Sequence, residues 1–166
     1  MIKVGDHIPE ATLMETTEFG EACPVSPKPV NVTEAAKGKK IVVFGIPGAY
    51  TPTCSAQHVP GYLEHLAQLH AKNVNEVWCV ATNDAFVMAA WGRDEKGLGK
   101  IRFLADGSGE LAKKLGLEFD LTAKGMGVRF QRFSMLLDDG VVKHLNVEAP
   151  GKFEISDAAT MLKQLA

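Results

Sequence analysis

The chain has 166 residues, enough for one domain with a substantial core. Hydrophobic residues make up 46% and charged residues 23%, the balance of an ordinary globular protein. A net charge of −2 gives no electrostatic basis for binding nucleic acid or a membrane surface, and no apolar run approaches the roughly 20 residues of a membrane helix.

The N-terminus has no signal-peptide character. The three cysteines, Cys23, Cys54 and Cys79, are too few and too scattered for a disulfide framework, and no four-ligand zinc spacing is present. The expectation is a protein of a reducing, cytoplasmic compartment with no metal and no cofactor.

Residues 1–13 read as extended, with a break at Pro9. Thr16-Thr17 and Val30-Asn31-Val32 suggest short strands around a turn-rich excursion that carries Cys23. A short helix over 33–37 precedes Gly38. The run Ile41-Val42-Val43-Phe44-Gly45-Ile46 is short, β-branched and stopped by Pro47-Gly48, so it predicts a buried strand. A helix then runs from Pro52 to about Ala71, with Val59, Tyr62, Leu63, Leu66 and His70 at helical spacing. Pro60 cannot donate to the Ala56 carbonyl and predicts a kink, which either loosens the Cys54 turn or bends the helix around the core.

Residues 77–81 form a continuous apolar run, a central strand with Cys79 in the core. Asp84 caps a helix through about Glu95, residues 101–105 make another strand, and 108–115 a short helix ended by Gly116. Residues 117–128 read as a loop. Asp139-Gly140 between two apolar runs is a strong hairpin signal. Ser156 caps a last helix, with Ala158, Met161, Leu162 and Leu165 on one face. The order predicts an α/β, thioredoxin-like fold in a single domain over 1–166: a mixed central sheet with helices on both faces. Its functional site is expected at the carboxyl ends of the strands.

Chemistry concentrates at residues 47–55. Thr51 is a good N-cap and Pro52 suits the first helical position, which puts Cys54 in the first turn. Orphan N–H groups and the dipole there favour an anion, and the thiolate is the nucleophilic form of cysteine. The alternative for Cys54 is a small buried hydrophobe. His58, four residues on, reads as a surface or packing histidine, since no second metal ligand stands at a suitable spacing.

Pro47, Thr51 and Cys54 match the Pro-x-x-x-Thr-x-x-Cys signature of peroxiredoxins, and PGAYTPTCSAQHVPGY over 47–62 resembles the peroxiredoxin-5, or type II, branch. Asn83-Asp84-Ala85-Phe86-Val87, Trp91-Gly92-Arg93, Phe103-Leu104-Ala105-Asp106 and Arg132-Phe133-Ser134-Met135 follow in the expected order. The resemblance implies a thiol-dependent peroxidase with Cys54 as the peroxidatic cysteine, passing through a sulfenic acid. It implies that Thr51 holds Cys54 and the peroxide, that Arg132 lowers the thiol pKa and binds the peroxide, and that Pro47 shapes the pocket. Arg129 competes with Arg132 for that role.

One departure stands out. Many members of this branch carry a resolving cysteine just before the last helix, where this chain reads Gly151-Lys152-Phe153-Glu154-Ile155-Ser156-Asp157-Ala158. Regeneration then falls to an external thiol, glutathione with glutaredoxin or thioredoxin, or to Cys23, with Cys79 less suited. The resemblance also implies a homodimer. A peroxide sensor that passes oxidation to a partner protein is the alternative function. A thiol–disulfide oxidoreductase is disfavoured because Ser55, Ala56 and Gln57 follow Cys54 and no Cys-x-x-Cys is present.

Overall fold

The computed structural model describes residues 1–166. Its strands are β1 (Thr12–Glu15), β2 (Glu18–Phe19), β3 (Pro24–Val25), β4 (Lys28–Asn31), β5 (Lys40–Gly45), β6 (Glu76–Ala81), β7 (Arg102–Ala105), β8 (Glu118–Asp120), β9 (Val128–Phe130), β10 (Phe133–Asp138) and β11 (Val141–Val147). Its α-helices are α1 (Val32–Ala36), α2 (Val59–Glu64), α3 (Leu66–Ala71), α4 (Ala85–Asp94), α5 (Glu110–Leu115) and α6 (Ala158–Leu165). Seven strands form the main sheet in the order β11-β10-β5-β6-β7-β1-β4. β5, β6 and β7 run parallel, while β10 joins β5 antiparallel.

The sheet buries both faces because its central strands are apolar on both. In β5, Val42 and Phe44 belong to one core cluster with Cys54, Tyr62, Trp91 and Met161, beneath α2, α4 and α6. Ile41 and Val43 belong to the other, with Trp78, Leu104, Leu111 and Phe130, on the side of α1 and α5. The period-two alternation of a strand assigns its residues to the two layers. The thioredoxin-like mixed sheet is the expected architecture, and β5 is an interior strand of it, between β10 and the middle strand β6.

Several local expectations hold. The Asp84 carboxylate accepts from the Val87 N–H at 2.8 Å. Asp139 and Gly140 both take positive φ, 51° and 80°, as a two-residue hairpin with native strand twist requires. Others are corrected. The strand expected at Thr16-Thr17 ends at Glu15, and the Thr16 hydroxyl instead donates to the Val25 carbonyl. Val32 opens α1, because the Asn31 side chain caps Glu34 at 3.0 Å. Residues 117–128, read as a loop, form the β8–β9 hairpin around a 3-10 turn at Thr122–Lys124. α6 is capped by Asp157, not Ser156; Ser156 is buried and bonded elsewhere.

Candidate active site

β5 ends at Gly45 beside the Phe133 ring, so close that a Cβ there would stand 2.0 Å from it. The Ile46 N–H still reaches the Val80 carbonyl at 3.1 Å, and the chain then leaves the sheet at Pro47. Two neighbours hold the departing turn. The Asn83 side chain, two residues past the end of β6, accepts from the Ala49 N–H at 2.9 Å. Arg129 of β9 donates to the Met126 carbonyl at 2.8 Å and to the Pro47 carbonyl at 3.1 Å. Arg129 therefore braces the turn and does not compete for the cysteine. The Thr51 hydroxyl donates to the Gly48 carbonyl at 2.6 Å. It closes the turn; the side-chain cap on the helix expected of it is not formed. Its oxygen keeps lone pairs as acceptors.

The helix opens at Pro52 and carries Cys54 in its first turn, as its sequence predicts. It then widens. Cys54–His58 form one π turn, in which the Val59 N–H donates to the Cys54 carbonyl five residues back. In an α register the partner of the Ala56 carbonyl would be the N–H that Pro60 lacks. The expected kink is thus a wide turn just ahead of the proline, a distortion found often at functional sites. A second break at His65 separates α2 from α3, so the single helix to Ala71 is three segments. Beside Cys54, the Ser55 hydroxyl accepts from the Trp91 indole at 2.9 Å.

Cys54 is fully buried. Arg132, between β9 and β10, donates to its sulfur from Nη2 at 3.1 Å. The other guanidinium nitrogen, Nη1, lies 2.9 Å from His58 Nδ1. A guanidinium only donates, so Nδ1 is the acceptor and Nε2 carries the proton. Nε2–H donates to the Ser156 carbonyl at 3.0 Å. Burial, and then the positive charge of Arg132, push the His58 pKa down to about 3. The ring is neutral. It packs 4.7 Å from Phe44 and 4.9 Å from Phe153, centroid to centroid. His58 is neither a surface group nor mere packing: it is buried and holds Arg132. Its i+4 spacing from Cys54 was the only local signal.

The remaining cysteines differ in setting. Cys79 of β6 stands opposite Phe44, fully buried, and burial followed by the proximity of Cys54 raises its thiol pKa well above the ordinary range. Cys23 is exposed between β2 and β3. All three are free thiols. A cleft of about 700 Å³ reaches the site, lined by Pro47, Thr51, Pro52 and Arg132 on one side and by Phe119 and Met126 of the β8–β9 hairpin region on the other. A second cavity, of about 520 Å³, lies by the starts of β6 and β7, away from these residues. Arg102 there is paired with Glu15 and Glu76 at 2.8 and 3.2 Å. The chemistry therefore belongs to the Cys54 cleft. No group of three or more His, Cys, Asp or Glu is placed to hold a metal ion.

The Redoxin family model matches residues 3–162. Peroxiredoxin-2B of Arabidopsis thaliana is 46% identical over 164 residues, covering 99% of this chain and 98% of that protein. This chain is a peroxiredoxin. Reduced Prx3 of Vibrio vulnificus in complex with hydrogen peroxide is 46% identical, with a TM-score of 0.92 and full coverage of both chains. Peroxiredoxin 5 of Alvinella pompejana is 31% identical at a TM-score of 0.86, covering 99% of this chain and 98% of its own. A Burkholderia cenocepacia structure described as a candidate thioredoxin reductase is 55% identical at 0.94, covering 100% and 99%. Peroxiredoxins are thiol-dependent peroxidases, so this peroxiredoxin is an enzyme of peroxide reduction on a thioredoxin-like fold.

Proposed function

We propose that the peroxiredoxin reduces hydrogen peroxide and organic hydroperoxides through Cys54 in a one-cysteine cycle, with an external thiol as reductant. The observation that carries the reading is the 3.1 Å bond from Arg132 Nη2 to the Cys54 sulfur. A charge-assisted donor favours the thiolate, the nucleophilic form. The thiolate attacks one peroxide oxygen. The O–O bond breaks, Cys54 becomes a sulfenic acid, and water or an alcohol leaves with the proton. Arg132 stabilises the charge that develops on the leaving oxygen. Thr51, whose proton is committed to Gly48, accepts from the peroxide hydroxyl. Pro47, held by Arg129, forms one wall of the cleft. A first external thiol condenses with the sulfenic acid and releases water. A second cleaves the mixed disulfide, leaving Cys54 reduced and the reductant oxidised.

Cys54 is fully buried, so the incoming thiol needs the wide turn at Cys54–His58 to open. The reductant is glutathione with glutaredoxin, or thioredoxin. Cys79 is buried in the sheet, which argues against a resolving role, and the free cysteines fit a reducing, cytoplasmic setting. Peroxide consumption by wild type, Cys54→Ser, Cys23→Ser and Cys79→Ala, with each reductant system in turn, is the test. Activity lost only in Cys54→Ser establishes the one-cysteine cycle. Loss in Cys23→Ser as well, with a Cys23–Cys54 disulfide, overturns it. Oxidation of Cys54 without turnover in either system favours a peroxide sensor acting on a partner protein.

We also propose a homodimer through the face that carries Tyr50 and Phe86, which are 54% and 47% exposed. Sedimentation of wild type and a Tyr50→Glu/Phe86→Glu variant checks it: a dimer and a monomer are expected, and a monomeric wild type rejects the proposal.

A further inference from the structure

Glu148 follows the last strand and is buried. Its backbone N–H donates to the Arg132 carbonyl at 2.9 Å. Its carboxylate serves a different segment. One oxygen, Oε2, accepts from the backbone N–H groups of Glu154, Ile155 and Ser156, each at 2.8 Å, and from the Ser156 hydroxyl at 2.7 Å. These bonds hold the carboxylate pKa below its usual range against the opposing effect of burial. Four donors on one anion fix the turn before α6, and with it the Ser156 carbonyl. That carbonyl accepts from His58 Nε2 and from the Tyr62 hydroxyl, both at 3.0 Å.

The position of that carbonyl matters for the cysteine. While it accepts from Nε2–H, the His58 proton stays on Nε2 and the Nδ1 lone pair faces Arg132. If the carbonyl moved, the proton would be free to shift to Nδ1, where it would oppose an Arg132 N–H donor to donor. Arginine has several rotatable bonds, and only fixed acceptors keep its fork aimed. Cys54 and His58 are the two side-chain acceptors it has.

We propose that Glu148 is a positioning residue for Cys54: through the Glu154–Ser156 turn and the His58 ring, its carboxylate sets the Arg132 guanidinium against the sulfur. The kinetic consequence rests on the peroxidase reading above; the geometric one does not.

The test uses a Cys23→Ala/Cys79→Ala parent. Two quantities are followed: the rate of reaction with hydrogen peroxide, read by the fluorescence of Trp91 beside Ser55, and the pH at which the Cys54 thiolate absorbs in the ultraviolet. Glu148→Gln is expected to slow the peroxide reaction about 10-fold and to move the thiolate transition to higher pH. In an Arg132→Lys background the same substitution is expected to add less than about 2-fold, because it acts through the guanidinium. A folded Glu148→Gln with the parental rate and titration overturns the proposal, as does an effect that multiplies in full with Arg132→Lys. If Glu148→Gln does not fold, His58 decides. His58→Gln, whose amide oxygen can accept, is expected to stay within about 3-fold of the parent, and His58→Phe to fall about 10-fold. Equal rates for the two overturn the relay. A parent that consumes no peroxide refutes the functional reading alone, since the thiolate titration still reports on the relay.

Discussion

Arg132 makes two contacts that a lysine cannot reproduce together. Its Nη1 meets His58 while its Nη2 meets the Cys54 sulfur. A lysine offers one compact nitrogen on a flexible stem, with no fork to span both. Arg132→Lys keeps the charge and is expected to lower the peroxide rate about 10²-fold, the scale of losing one oriented donor at a reacting centre. Stopped-flow measurement of the variant checks this. A rate within a few-fold of wild type means that charge alone, without direction, suffices. Thr51 matters by orientation too. With its proton on the Gly48 carbonyl, it meets a ligand as an acceptor.

The Pro47–Thr51 turn is the element on which these residues converge, and it is shaped from outside. Gly48 shows how. An alanine Cβ there would lie 2.6 Å from Arg129 Nη1 and 3.3 Å from Thr51 Cγ2. The end of an arginine moves at small cost, so Gly48→Ala is expected to change stability by no more than about 1 kcal/mol. It would nevertheless displace the donor that holds the Pro47 carbonyl. The peroxide rate is expected to fall roughly 10-fold at nearly unchanged denaturation midpoint. An unchanged rate shows that the brace does not shape the site. The turn also marks where sequence patterns stop being informative. β5, β6, the Asp84 cap and the Asp139-Gly140 hairpin are local chemistry and were legible, as was a mixed thioredoxin-like sheet, though not its strand order. Cys54 and its place in the first turn were legible from Thr51-Pro52 and the family signature. The β8–β9 hairpin was not, because its strands have three residues each and the seven residues between them carry two glycines, Gly125 and Gly127. Nor was the support of Arg132. The His58–Ser156 bond joins residues 98 apart and the Arg132–His58 bond residues 74 apart, and neither leaves a periodic trace.

At the scale of the whole molecule, the buried neutral His58 ties the stability of the fold to pH. Its pKa falls from 6.5 to about 3 on folding, through burial first and the Arg132 charge second. Below about pH 6.5 the unfolded chain binds a proton that the folded chain refuses. Stability is therefore fully present above that value and is lost as the pH falls toward 3, by roughly 1.4 kcal/mol for each pH unit. Other shifted groups act lower or in the opposite sense. Glu76 and Glu148 are held below 4.5, so their contribution is lost only in stronger acid. Glu95 is raised above 4.5 by burial, and then by Asp94, which favours the folded state as the pH drops toward that value. The histidine shift is the largest of these between about pH 7 and pH 5. Denaturant unfolding is expected to give a folded state about 2 kcal/mol less stable near pH 5 than near pH 7. His58→Gln, which cannot titrate, is expected to flatten most of that difference. A wild type equally stable at both values would mean that His58 takes up its proton within the fold. Because Nδ1 is the Arg132 acceptor, the protonated ring would then push the guanidinium away, and peroxide reactivity would fall over the same pH interval as His58 titrates.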